Sequence, residues 1–227
     1  MDFVFENPTP TAHHPLSAID NSVSILAQLE KVVDILYLDS SSVLQSKTHP
    51  SLSSSLMVKH DIHRGKTIEI TTTTPVTCSI EDAASQIWGN FTKHRDAVDN
   101  TFRYVRRSVN HESVTPVNGL AFVRKYEEPD RIVFVVAEQL LLPTQVLQFG
   151  MRCWTVITRS ESEPCRSSVV RSVLQLYTEC QEGVAIRQRD LQDAEEKVLG
   201  ALSVKMRKNV EAAQDALVEE AGLTTGA

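Results

Sequence analysis

Apolar positions recur at helical spacing near both ends of the chain and alternate in between. Ile25, Leu26, Leu29, Val32, Val33 and Leu36 fall three or four residues apart, with Gln28, Glu30, Lys31 and Asp34 on the remaining positions. That spacing predicts an amphipathic helix over 21–38, capped by Asp20 or Asn21. Residues 1–20, with Pro8, Pro10, Pro15 and the His13-His14 pair, read as a flexible arm. Residues 39–55 hold eight serines and one proline and read as a linker.

The period then changes. Leu56-Met57-Val58 and Lys66–Thr73 read as two strands turning near Arg64-Gly65, with Pro75 ending the second. Ser79 and Asp82 have the spacing of a capping box, which opens a helix over 80–93 with Ala83, Ile87, Trp88 and Phe91 on one face. Five strand patterns follow over 101–109, 119–126, 131–141, 151–159 and 166–178. Asn110–Pro116 reads as a longer polar loop between the first two. The short links elsewhere, such as Glu127–Asp130, imply antiparallel neighbours.

The last pattern is the longest. Between 184 and 221, Leu191, Ala194, Val198, Leu202, Met206, Val210, Ala213 and Leu217 form a stripe close to helical period, and Gly222 suits the C-cap. At 1.5 Å per residue such a helix runs about 55 Å. The expected fold class is α+β: a curved antiparallel sheet packed on one long C-terminal helix. The domain itself is expected over 56–222.

Composition narrows the function. Hydrophobic residues make up 41% of the 227 and charged residues 23%, which describes a globular chain rather than a disordered one. No apolar run approaches the roughly 18 residues of a membrane helix. Met1–Glu6 has no basic region and no sustained apolar core, so no signal peptide is expected and a cytoplasmic location is. The net charge of −6 argues against nucleic acid as a partner, because phosphates are neutralised by Lys and Arg. The basic and aromatic run Arg103–Arg107 does not change this, since alternation splits its charges between two faces.

The glycines exclude several chemistries. There are eight, and no two lie within three residues of each other. That removes the GxGxxG fingerprint and the GxSxG elbow; Gly65-Lys66-Thr67 lacks the upstream glycine of a phosphate loop. Cys78, Cys153, Cys165 and Cys180 form no CxxC pair and are expected as reduced thiols. His60 and His63 point to opposite faces of a strand, which suits no single metal ion. His111-Glu112 sits in a polar loop without the HExxH pattern. No cofactor and no metal are expected.

The order of elements resembles the START-like, helix-grip fold of lipid-binding domains, part of the Bet v 1-like superfamily. The likeness covers about 55–221. It rests on the strand pair followed by the helix containing Trp88, on the strand series with Arg106-Arg107 and Phe122–Tyr126, and on the terminal long helix. The resemblance implies a cavity between sheet and C-terminal helix that encloses one hydrophobic ligand, a lipid or sterol. It implies a non-enzymatic carrier or sensor, with room for transient contact with a membrane surface. The oligomeric state is left open.

Strand alternation then nominates a lining. Tyr104, Arg106, Phe122 and Arg124 share one set of faces on the first two of the five strands. Phe134, Glu138, Trp154, Val170 and Leu174 continue it on the other three, and Val198, Leu202 and Met206 would cover it from the helix. The opposite faces are also apolar, so inward and outward are not separated by pattern; plain core is the simple alternative for each residue. Arg106, Arg124 and Glu138 stand among aromatics, where a charge is costly unless paired or meeting a ligand head group. Two alternatives remain. One is an enzyme of the same fold, a cyclase or hydrolase using Arg106, Arg124, Glu138 and Tyr104. The other is a regulatory module that docks a partner through helix 21–38 or its acidic surface.

Overall fold

The structure is a computed structural model that describes residues 22–43, 51–61, 65–92, 97–98, 101–110, 113–141, 147–161, 163–164, 166–180 and 188–224. The arm 1–20, His63, His111-Glu112 and Cys165 lie outside the described residues. So do the side chains of β4 and of the first half of β5, Tyr104 and Arg106 among them.

In chain order the elements are α1 (Ser22–Val43), β1 (Ser53–Asp61), β2 (Gly65–Val76), α2 (Ile80–Thr92), β3 (Ala97–Val98), β4 (Thr101–Asn110), β5 (Ser113–Glu127), β6 (Arg131–Leu141), β7 (Leu147–Arg159) and β8 (Ser168–Cys180). They end in α3 (Gln188–Ala194), a π-helical segment (Glu195–Leu199) and α4 (Gly200–Thr224). The strands form one curved antiparallel sheet in the order β1-β2-β8-β7-β6-β5-β4-β3. Helix α1 covers one face; α2 and α4 cover the other. The helix-grip expectation therefore holds.

Several boundaries move for physical reasons. Helix α1 runs on into the serine-rich stretch, to Val43 rather than 38. Leu29, Val33, Leu36 and Ser40 follow at steps of four, three and four and are all buried, so packing overrides the weak helix preference of serine. Ser53–Ser55 belong to β1 rather than to a linker. Pro75 does not end its strand. β1 has already ended opposite Thr73, so no neighbour on that side requires the missing N–H of Pro75. The loop expected at 110–116 is instead a tight hairpin, with Asn110 opposite Ser113. At α2 the cap is as read: Ser79 Oγ accepts from the Asp82 N–H at 3.1 Å and donates to Asp82 Oδ2 at 2.8 Å.

The terminal helix is interrupted once. The stripe Ala194, Val198, Leu202, Met206 and Val210 advances by fours, and each step overshoots a 3.6-residue turn by about 40°. A regular helix would carry these residues off the sheet. The wider π turn at Glu195–Leu199 absorbs the surplus and keeps Val198, Leu199, Leu202 and Met206 buried together. Glu195 Oε1 fixes that turn, accepting from Thr178 Oγ1 at 2.9 Å and from the Lys66 N–H at 3.4 Å.

Helix α1 is held by apolar contact and by a charged rim. Leu29, Val33 and Leu36 pack on Leu120, Phe122, Val133, Val135 and Trp154. Each such side chain contributes roughly 1.5–3 kcal/mol on burial. Trp154 Nε1 donates to the Leu36 carbonyl at 2.8 Å. On the rim, Arg124 pairs with Glu30 and Asp34, and Tyr126 donates to Asp34 at 2.7 Å. Tyr37 stacks on Tyr126 at 3.8 Å and donates to Glu128, which also accepts from Arg131. The apolar face of α1 formed by Leu29, Val33 and Leu36 is therefore covered by the sheet.

The rim makes this contact acid-sensitive. The Tyr126 hydroxyl, with Arg124, holds the Asp34 carboxyl below its usual value, and Arg131, with Tyr37, does the same for Glu128. A depressed native pKa adds stability above the unfolded value and loses it as pH falls through the native one. Hydrogen exchange at the amides of Leu29–Leu36 should therefore speed up below about pH 4, relative to the sheet. An α1 whose protection relative to the sheet is the same at pH 3 and pH 7 would show that these carboxylates do not hold it.

Candidate functional site

The register decides what faces the cavity, because cross-strand partners share a face. On the α4 side the strands lay down parallel rows. One row is Ile70, Leu174, Cys153 and Val136; the next is Thr72, Ser172, Thr155 and Phe134; a third is Thr74, Val170, Ile157 and Ile132. Beside the first lie Met151, Glu138 and Ala121. All of these residues except Phe134, Ile157 and Ile132 line the floor of a cavity of about 340 Å³.

The roof comes from two helices. Ile87, Asn90 and Phe91 of α2 close one side, and Met206, Val210 and Leu217 of α4 close the other. Asn90, Asn209 and Ala213 line the cavity and are also exposed, which places its mouth between α2 and α4. Gln214 ties α4 down beside that mouth. Its Nε2 donates to Thr74 Oγ1 at 2.9 Å and to the carbonyls of Ser53 and Thr73 at 3.2 and 3.3 Å.

The structure brings Glu138, Val170, Leu174 and Met206 to this one cavity. Phe134 stands on the same face, but its ring packs under α2 against Trp88 and Phe91 at 6.2 and 6.1 Å. Val198 and Leu202 are buried on the cavity side of the sheet, in the neighbouring core. Three nominated residues are on the wrong face. Phe122, Arg124 and Trp154 point to α1. The reason is the phase of the pleat: Ala121 and Val123 of β5 face the cavity side, so their neighbours cannot. Tyr104 is opposite Gly119 and Arg106 opposite Val117, and their side chains lie outside the described residues.

Sequence reasoning missed the polar part of the floor. The alternation of apolar residues does not single out Thr72, Thr155 and Ser172, which interrupt it. The interruption was the signal: a serine between Val170 and Leu174 on a buried face needs a reason.

The electrostatics of the wall are simple. Burial pushes the Cys153 thiol up to about 11, and the charge of Glu138 adds to this. Cys153 is thus a neutral thiol near neutral pH and no nucleophile. No Lys, Arg or His lines the cavity among the described residues. The quartet an enzyme would have used is not assembled, since Arg124 and Glu138 stand on opposite faces. Among the described residues no group of three His, Cys, Asp or Glu is placed to hold a metal ion.

No protein-family model matches the chain, and no curated protein does. Among solved structures it is similar to human StAR-related lipid transfer protein 5, at 11% identity and TM-score 0.42, over 83% of this chain and 98% of that one. It is also similar to a conserved protein from Geobacillus kaustophilus, at 11% identity and TM-score 0.33, over 64% and 96%. A protein from Rhizobium leguminosarum gives 12% identity and TM-score 0.31, over 72% and 99%.

By its own strand order and the helix across its cavity face, this fold is START-like. The helix-grip arrangement explains why the cavity sits where it does. A curved sheet and a straight helix cannot stay in contact along their whole length, and α2 with the middle of α4 spans the gap that results.

Proposed function

We propose that this protein binds one hydrophobic ligand in the cavity between the sheet and α4, without catalysis, as a carrier or a sensor. The observation that carries the reading is the cavity itself: about 340 Å³, with more apolar than polar side chains in its wall and a mouth at Asn90 and Asn209. Ligand sites span about 300–1,000 Å³. A volume at the low end suits a compact ring system or a single chain better than a two-tailed lipid.

The proposed compartment is the cytoplasm. Cys78 and Cys153 are free thiols, which suits a reducing environment, and no helix among the described residues is long and apolar enough to cross a membrane. The absence of a charge cluster or an activated nucleophile in the described wall supports binding over turnover.

Native mass spectrometry of the purified protein should show a co-purified hydrophobe. A ligand supplied at 100 times its Kd should add about 2.7 kcal/mol of stability. At about 2–4 °C per kcal/mol for a chain this size, Tm should rise about 5–11 °C. No mass shift and no thermal shift across a panel of sterols, single-chain lipids and small ring compounds would overturn the reading.

A further inference from the structure

We propose that the row Thr72, Ser172 and Thr155 is the polar subsite of this cavity, and that it selects a hydrophobe carrying one uncharged oxygen part-way along its body. The inference rests on the cavity being a ligand site, and it names the chemistry of the occupant.

Thr155 Oγ1 and Ser172 Oγ are 2.9 Å apart. One hydroxyl donates to the other, so the pair keeps one hydrogen to give away. The only further partner of either hydroxyl among the described residues is the Cys153 thiol, 4.0 Å from Thr155 Oγ1 and a poor acceptor. Thr72, directly opposite Ser172 on the same row, is 3% exposed. Thr155 is 7% exposed. The floor thus presents a spare O–H donor and several lone pairs facing the void. A purely apolar guest would leave them unsatisfied.

Position sets the second half of the claim. The hydroxyl row is not at an end of the floor. Ile70, Leu174 and Val136 lie on one side of it, and Val170 and Leu217, with Thr74 beside them, on the other. A matching guest has apolar groups on both sides of its oxygen. A ketone, ester, ether or secondary alcohol fits; a carboxylate or phosphate head would lie among hydroxyls and hydrocarbon with no cation in the described wall.

The test uses the full chain and two ligands of one shape: nonan-5-one, with its carbonyl in mid-chain, and 5-methylidenenonane, in which =CH2 replaces that oxygen. Sodium nonanoate is the anionic comparison. Kd values are measured for the unaltered protein and for the double variant Thr155→Val, Ser172→Ala, which removes two hydroxyls and little volume. The preference for the ketone over its isostere should fall about tenfold in the variant, the worth of one hydrogen bond. The variant should keep its affinity for the isostere, which also reports that it is folded. A preference that changes less than threefold, or nonanoate binding as tightly as the ketone, overturns the proposal while leaving the cavity a ligand site. If neither the ketone nor its isostere binds the unaltered protein, the ligand-site reading fails and this one with it.

Discussion

Truncating Phe134 to alanine should cost about 3–5 kcal/mol of stability, the usual range for a buried aromatic. Its ring is fully buried. It is the piece of the sheet on which α2 sits, with Trp88 and Phe91 packed around it and Ile80, Ala83 and Ala84 in the same cluster. For a chain of this length the loss corresponds to a drop in Tm of about 6–20 °C. The position of Phe134 gives the variant a second signature. It ends the row Thr72, Ser172, Thr155, so its removal extends the ligand cavity under α2. A ligand with one additional ring should therefore stabilise Phe134→Ala more than it stabilises the parent, as other engineered cavities accept apolar guests. Phe134→Leu should cost much less and gain no such rescue. A loss below about 1 kcal/mol for Phe134→Ala would mean that α2 is held by something other than this ring.

The same residue shows how far the sequence can be read. That 131–141 is a strand follows from its apolar run, and that it pairs with the strand before it follows from the short link Glu127–Asp130. The direction in which Phe134 points does not follow. Ile132 to Glu138 are all buried, because helices cover the sheet on both faces and neither face of the strand is polar. Alternation carries information only when one side meets water. The aromatics of Phe122, Tyr126 and Trp154 drew attention to the face that α1 covers, while the cavity face shows itself by hydroxyls.

A clue to the phase was present in the charges. Glu30 and Asp34 are one helical turn apart on α1, and Arg124 and Tyr126 are two residues apart on β5, a spacing that fits one against the other. Reading that match would have sent Arg124 to α1 and Ala121 to the cavity. The π turn at Glu195–Leu199 was legible in the same way, in the run of four-residue steps from Ala194 to Val210. The size of the cavity was not legible in the residue pattern, because its volume depends on how far the sheet curves away from α4, and no local pattern records that distance.

Val135 and Val136 are adjacent, identical and buried, and they should respond oppositely to the same substitution. Val136 faces the void, on the row of Ile70, Leu174 and Cys153. Phenylalanine there has empty space to enter, so the folded state should lose little, while the ring occupies the volume the ligand needs. Ligand affinity should fall at least a hundredfold, because the guest cannot share that space and the surrounding core is too closely packed to yield. Val135 is fully buried beneath α1, among Val133, Trp154 and Leu36. Val135→Phe should therefore cost about 1–3 kcal/mol through overpacking and leave ligand affinity within a few-fold of the parent. Thermal melts and ligand titrations on the two variants separate the effects, since one moves Kd with Tm nearly fixed and the other moves Tm with Kd nearly fixed. The reversed pattern would mean that the strand is turned over, with the ligand on the α1 side; a shared loss of stability with no change in affinity would mean that the space under α4 receives no guest.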